Sequence, residues 1–260
     1  MKKTVSIAGS DCSGGAGIQA DLKTFSAHGT YGMSVITSVV AENTCKVISI
    51  YNVPISCIKE QIDAIFTDIM PDAVKVGMLS DEQVMEAVAE KLIEYKVEKA
   101  VIDPVMEAKG GHALMKKEAL DVLRTKVIPC AYLLTPNIPE AETILGMKIE
   151  TVEEMKQAGV SICRLGARNV LVKGGHFSGE PVDVLFDGTR HYLFHGTRVN
   201  SKNTHGTGCT LSSAITANLA NGLSLEQAVE QGKNYVTDAI LHTEEIGHGH
   251  GPLHHFYRWF

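Results

Sequence analysis

The chain has 260 residues, 44% of them apolar and 21% charged, and its 30 acids outnumber 24 lysines and arginines for a formal charge of -6. That much apolar chain suits one large α/β domain over residues 1–260, and an acidic balance with no basic run argues against nucleic acid as the main partner. The opening Met1-Lys2-Lys3-Thr4-Val5-Ser6-Ile7-Ala8 is too short in its apolar part for a signal peptide, and no segment reaches the apolar length of a membrane span, so a cytoplasmic protein with no membrane partner is expected.

Short β-rich runs alternate with helix-period segments as far as about residue 175, the pattern of a mostly parallel sheet with helices on its faces. The first strand is predicted at Thr4–Ala8, followed by the loop Gly9-Ser10-Asp11-Cys12-Ser13-Gly14-Gly15-Ala16-Gly17 and a helix over Ile18–His28. Gly15-x-Gly17-x-x-Ala20 looks like a dinucleotide fingerprint, but that device needs an acid about 20 residues on. Glu42, which ends a strand over Val35–Ala41, stands farther away and makes a loose fit. No Gly-x-x-x-x-Gly-Lys-Ser/Thr loop occurs anywhere.

Helices over Ser56–Met70 and Asp81–Tyr95 and strands over Ala73–Val76 and Ala100–Ile102 come next. Asp103-Pro104-Val105-Met106 follows the fourth strand. After a helix over Lys116–Val127 and a strand over Tyr132–Thr135 comes Thr135-Pro136-Asn137-Ile138-Pro139-Glu140. Proline fixes a sharp exit in both loops, so Asp103, Asn137 and Glu140 stand at strand ends as oxygen ligands for a magnesium ion, or else simply cap helices. A helix over Glu153–Leu165 and a strand over Asn169–Val172 lead to Lys173-Gly174-Gly175-His176, a lysine beside flexible glycines suited to phosphate charge.

Asp187-Gly188 between Val182–Phe186 and Arg190–Phe194 predicts an antiparallel hairpin at the sheet edge. Helices over Leu211–Gly222 and Leu225–Leu241 close the chain. Just before them, His205-Gly206-Thr207-Gly208-Cys209-Thr210 runs straight into a helix N-terminus, where converging amides and the helix dipole favour an anion. A thiol there is expected to have a lowered pKa and to accept a proton. The cysteines at 12, 45, 57, 130, 163 and 209 include no Cys-x-x-Cys pair, and the histidines at 248, 250, 254 and 255 have no acid or thiol partner in sequence, so no metal is expected at either. Ligands of open α/β sheets bind beyond the carboxyl ends of strands, which puts these loops on one edge and equips that edge for phosphoryl transfer.

The same motifs, in the same order and over essentially the whole chain, resemble the bifunctional hydroxymethylpyrimidine and phosphomethylpyrimidine kinases of thiamine biosynthesis, within the ribokinase-like superfamily. The likeness rests on Gly9 to Thr24, Lys75-Val-Gly-Met-Leu79, Asp103-Pro-Val-Met106 with Ala108-Lys-Gly-Gly-His112, Thr135 to Glu140, Lys173 to His176, Asn203 to Thr210 and Gly251 to Phe256. It implies a three-layer α/β fold with a central, mostly parallel sheet, ATP and Mg2+ as cofactors, and a homodimer. Gly206, Thr207, Gly208 and Cys209 would form the anion hole, with Cys209 facing the acceptor hydroxyl. Gly9, Asp21, Glu42, Met78 and Val105 would surround the pyrimidine. Asn137, Lys173, Thr204 and Lys233 would serve ATP, and Asp103 and Glu140 the metal.

One position departs from the family's commonest pattern, which has glutamine where Ala41-Glu42-Asn43-Thr44 has Glu42. A carboxylate accepts hydrogen bonds but cannot donate to a ring nitrogen, so the contact works best if one partner carries a proton. Pyridoxal or pyridoxine kinase, on the same scaffold, is the alternative function.

Overall fold

The computed structural model describes residues 1–107, 114–115, 119–175 and 180–260. Nine strands form one sheet in the order β3-β2-β1-β4-β5-β6-β7-β8-β9. β1 (Lys3–Asp11), β2 (Tyr31–Glu42), β4 (Ala73–Val76), β5 (Ala100–Ile102), β6 (Leu133–Leu134) and β7 (Asn169–Val172) run parallel, while β3 (Val47–Asn52) on one edge and the β8 (Val182–Phe186) and β9 (His191–His195) hairpin on the other are antiparallel.

Alternation along each central strand sends side chains to two separate cores. Val74, Val76, Ile102, Leu134, Val170 and Val172 join one core with α2 (Ile55–Phe66), α3 (Glu82–Glu94), α5 (Ile138–Leu145) and α6 (Val152–Cys163). Val101, Leu133, Leu171 and Leu185 face the other way and pack on Leu211, Ile215 and Leu219 of α7 (Thr207–Ala220) and on Ala228 and Val229 of α8 (Leu225–Leu241). α1 (Gly17–Ala27) lies beside α7, completing three layers of helix, sheet and helix. Truncating a fully buried side chain such as Ile215 to alanine would cost about 2–5 kcal/mol.

α7 is buried from Thr210 to Ala220, so its polar residues need internal partners. Ser212 and Thr216 donate their hydroxyls to carbonyls one turn back, at Gly208 and Ser212. Small, self-satisfied side chains thus let the helix sit in the middle of the fold and point its N-terminus at the strand ends.

The structure differs from the predicted elements at several places. β3 and α5 were not expected. β2 begins at Tyr31 and α2 stops at Phe66, short of Met70. The helix expected over Lys116–Val127 is seen from Leu120 as α4 (Leu120–Val122), then widens over Leu123–Val127 and tightens over Ile128–Cys130. Lys116, Ala108 to His112 and His176 lie outside the described residues. The hairpin is present, but β9 starts one residue later because Asp187 accepts from the amides of Thr189 and Arg190, making a four-residue loop. Most consequential, α7 starts at Thr207, so Thr207, Gly208 and Cys209 are its first turn and not a loop before it.

Candidate active site

After β1 the chain crosses to β2 on one side and later to β4 on the other, so the loops above β1 part and leave a crevice. A cleft of about 640 Å³ opens there. Gly9, Glu42, Met78 and Val105 line its end over β1, β2, β4 and β5; Asp103, Asn137, Glu140 and Lys173 its middle; Thr204 and Lys233 its far end. The predicted site residues therefore meet in one place, with the exception of Asp21. At Gly9 a Cβ would stand 2.7 Å from the Met78 methyl and 2.8 Å from Ser38 Oγ, so a larger residue would have to displace those side chains.

The first turn of α7 forms the floor. Gly206 holds the left-handed conformation, φ 84°, and a Cβ on it would lie 1.9 Å from the Gly15 carbonyl oxygen, so the two glycine loops interlock. The Thr207 and Thr210 amides bond to the carbonyls of Thr204 and Gly206. Among the described residues no protein acceptor takes the Gly208 or Cys209 amide, which leaves two donors at the positive end of the helix dipole for an anion in the cleft.

Cys209 does not behave as the sequence suggested. Burial pushes its thiol up to about 11; attraction to the Lys75 ammonium and a hydrogen bond from the Gly17 amide work downward and lose, with the charges of Asp21 and Asp103 adding to the rise. The expected thiolate is a thiol in the free protein. Desolvation outweighs the helix terminus here.

Asp21 is likewise displaced from its expected place beside the ring. It sits on α1, fully buried under α7, with one oxygen taking Ser6 Oγ at 2.5 Å and Lys75 Nζ at 2.8 Å and the other taking Ser213 Oγ at 2.7 Å. Lys75 reaches it from the α7 face of β4. Burial works against the lysine's charge, but Asp21 chiefly, and also Cys209 and Asp103, keep it protonated well above the ordinary lysine value. The pair is thus a buried ionic support beneath α7.

In the middle of the cleft β6 and β7 are extended by a bridge between Asn137 and Lys173. Lys173 Nζ bonds Asp103 Oδ1 at 2.8 Å, an oxygen that Thr135 Oγ1 also reaches at 3.0 Å. Asp103 Oδ2 faces Gly208, where a Cβ would be 3.3 Å from it and 3.5 Å from Lys173 Nζ. Burial opposes the Lys173 charge, yet Asp103 and Glu140 raise its pKa. Glu140 is pushed up to about 7, by burial first and by Asp103, against the pull of Lys173. Asn137 closes a capping box with Glu140: its Oδ1 accepts the Glu140 amide and the Glu140 carboxylate accepts the Asn137 amide. The capping role takes one of the two lone pairs of Asn137 Oδ1. Hard carboxylate oxygens of Asp103 and Glu140 offer a donor set that fits magnesium.

Two functional positions were missed in the sequence, Asp11 and the side chain of His205. Asp11 Oδ1 accepts from the Ser13 amide at 2.7 Å, and Oδ2 from Gly15 at 3.0 Å, Ala16 at 2.7 Å and His205 Nε2 at 2.9 Å. Burial alone would raise its pKa, but the His205 bond and the amides bring it down to about 2. Its only sequence signal was an aspartate two residues before a serine at the start of a glycine loop. Ligand atoms of Asp11, His205 and Glu42 lie within 4.8 Å of one another. With both Asp11 oxygens committed to donors, the cluster is a hydrogen-bond network of the cleft wall.

At the far end Lys233 pairs with Asp183 Oδ2 at 2.5 Å, so its charge reaches the cleft already compensated. The tail histidines serve the packing: His255 Nε2 meets Thr210 Oγ1 at 3.0 Å, and His250 Nδ1 bonds the Lys202 carbonyl.

A helix N-terminus with unused amides, aimed at carboxylates and a lysine on the edge of a parallel sheet, is equipment for moving a phosphoryl group. Together with the sheet order, it defines a phosphotransferase of the ribokinase-like class. The profile of the phosphomethylpyrimidine kinase family matches residues 11–254. The hydroxymethylpyrimidine/phosphomethylpyrimidine kinase of Bacillus subtilis is 45% identical over 98% of this chain and 94% of its own. The thiamine biosynthesis bifunctional protein ThiED of Geobacter sulfurreducens is 50% identical over 96% of this chain, which spans about half (51%) of that longer protein. Among solved structures, the phosphomethylpyrimidine kinase of Clostridium difficile 630 is 49% identical with a TM-score of 0.84, covering 92% of this chain and 100% of that one. An ADP complex of Bacillus subtilis pyridoxal kinase is 38% identical with a TM-score of 0.91, covering 98% and 97%. The chain belongs to the phosphomethylpyrimidine kinase family.

Proposed function

We propose that the protein moves the γ-phosphoryl group of ATP onto the hydroxymethyl oxygen of 4-amino-5-hydroxymethyl-2-methylpyrimidine, and a second one onto the resulting monophosphate, as a step of thiamine biosynthesis. The observation that carries this reading is the placement of the Gly208 and Cys209 amides in the same cleft as Lys173 and Asp103, a cleft that Gly9, Met78 and Val105 also line. ATP enters from the end lined by Thr204 and Lys233, and the transferring group comes to rest over the first turn of α7.

Positioning and charge neutralisation do most of the work in such a reaction. The α7 amides hold the equatorial oxygens, and Lys173 neutralises the phosphate side. Asp103 and Glu140 would hold Mg2+, which would supply positive charge to offset that of the phosphates. The two acceptors differ: an alcohol must lose its proton, whereas a phosphate monoester, with a second pKa of about 6, is largely ionised at neutral pH. Cys209 faces the acceptor and matters for the first transfer.

The reading includes a cytoplasmic enzyme working as a homodimer; no helix among the described residues is long and apolar enough to cross a membrane. The likeness to pyridoxal kinase supports pyridoxal kinase as the second reading. Mass-spectrometric product analysis with the aminopyrimidine, its monophosphate and pyridoxal, each offered separately with Mg-ATP, tests the proposal. Formation of the mono- and diphosphates of the pyrimidine is expected. Pyridoxal phosphate as the sole product would transfer the assignment to the second reading.

A further inference from the structure

The wall of the cleft at the ring end contains two carboxyl groups and one imidazole, all with ligand atoms within 4.8 Å of one another. Two carboxylates this close do not both stay ionised, and the surroundings decide which takes the proton. Asp11 cannot be the one: Ser13, Gly15 and Ala16 amides and His205 Nε2 all donate to its oxygens. Glu42 has no comparable support. Its carboxyl has a side-chain hydrogen bond with Asp11, which only a protonated carboxyl can donate, and its hydrogen bonds with Cys12 use the backbone carbonyl and amide.

From this arrangement we infer that Glu42 meets the ring as a neutral carboxylic acid, its O–H turning from Asp11 to a ring nitrogen while its carbonyl oxygen accepts from the adjacent exocyclic amino group. The inference rests on the proposed aminopyrimidine substrate and adds how its edge is read. A protonated carboxyl offers a donor and an acceptor side by side, the complement of an amino group next to a bare ring nitrogen. A carboxylate would leave two lone-pair faces opposing. Asp11 serves as a positioning residue that keeps the proton on Glu42.

The electrostatics agree with the geometry. Burial first, then the Asp11 charge and the hydrogen bond to Asp11, push Glu42 up to about 7, against the attraction of His205. Among the described residues, the titratable groups bearing on this carboxyl are Asp11 from the end of β1 and His205 from the turn before α7. The paired strand β3, Val47–Asn52, carries no charged side chain. Cys12 touches only the Glu42 backbone.

Binding should therefore take up a proton at alkaline pH. With half of Glu42 protonated near pH 7 and about one part in a hundred near pH 9, affinity for the aminopyrimidine is expected to weaken about 50-fold across that interval. Glutamine presents the same donor and acceptor without titrating, so Glu42→Gln should change less than threefold over it. Calorimetry at pH 8.5 in two buffers of different ionisation heat gives an independent reading on the unaltered protein: about one proton absorbed per ring bound, and none for Glu42→Gln. Asp11→Asn, by removing the repelling charge, should move the onset of weakening to lower pH. Aminopyrimidine binding with a flat pH profile and no proton uptake would overturn this inference and leave the kinase reading standing. No aminopyrimidine binding at any pH would overturn both.

Discussion

Replacing Cys209 by alanine separates two ways in which the thiol could assist the alcohol acceptor. With the thiol at about 11, the thiolate share at pH 7.5 is on the order of 0.03%, and forming it costs about 5 kcal/mol. General-base assistance contributes typically about 10²–10⁴-fold, or roughly 3–5 kcal/mol, so at pH 7.5 cost and gain nearly cancel. The loss on the hydroxymethyl substrate at that pH is then expected to stay within about tenfold. As pH rises towards 10, wild-type kcat on the alcohol should climb about tenfold per unit as thiolate forms, while Cys209→Ala should show no climb. Transfer to the monophosphate should vary less than threefold in both proteins over the same range. Initial rates of ADP release at saturating acceptor, taken from pH 7 to 10, supply the comparison, since saturation removes the pH dependence of ring binding at Glu42. A wild-type profile already flat above pH 7 together with a large loss in the alanine variant would mean a lowered thiol and refute the reasoning. The same climb in the variant would refute it as well.

Three further outcomes follow from the geometry. Gly206→Ala puts a side chain on a residue at φ 84° and a Cβ 1.9 Å from the Gly15 carbonyl; strain of about 1–3 kcal/mol should lower the thermal midpoint, and both transfers should fall by about 10²-fold as the amides turn away. Asp21→Ala leaves the fully buried Lys75 without its counter-ion; urea unfolding should show a loss of about 3–5 kcal/mol, part of it recovered in the double variant Asp21→Leu/Lys75→Met. Lys173→Met removes the cation held 2.8 Å from Asp103 Oδ1, so kcat with Mg-ATP should drop by about 10²-fold on both acceptors alike, unlike the acceptor-selective effect at Cys209.

The fold was legible wherever strands are buried on both faces. Ala73–Val76, Ala100–Ile102 and Asn169–Val172 appear with the expected bounds, because continuous apolar runs have no other use in a chain of this type. β3 was illegible since, as an edge strand, it leaves Ile48 and Tyr51 exposed and shows no clean alternation. α5 hid behind its own cap: Pro-Asn-Ile-Pro-Glu looked like a metal-bearing loop, and the same residues close a capping box.

The site was legible as a list of residues but not as a set of charge states. Sequence spacing brought Gly206 to Cys209, Asp103, Glu140 and Lys173 to one sheet edge. It could not show that Cys209 is desolvated, that Asp21 turns inward to Lys75, or that Asp11 is saturated by local amides. Those depend on which face of α1 packs beneath α7 and on the path of the five residues 12–16 between β1 and α1, neither of which periodicity encodes.

The central claim, that the first turn of α7 gathers the charge of the transferring phosphoryl group, is tested most directly by a crystal structure with MgADP, aluminium fluoride and the hydroxymethyl aminopyrimidine. The account requires the fluoride ligands within hydrogen-bonding distance of the Gly208 and Cys209 amides, with Lys173 on the ADP side. Density for the fluoride group elsewhere in the cleft, with those amides facing water, would contradict it.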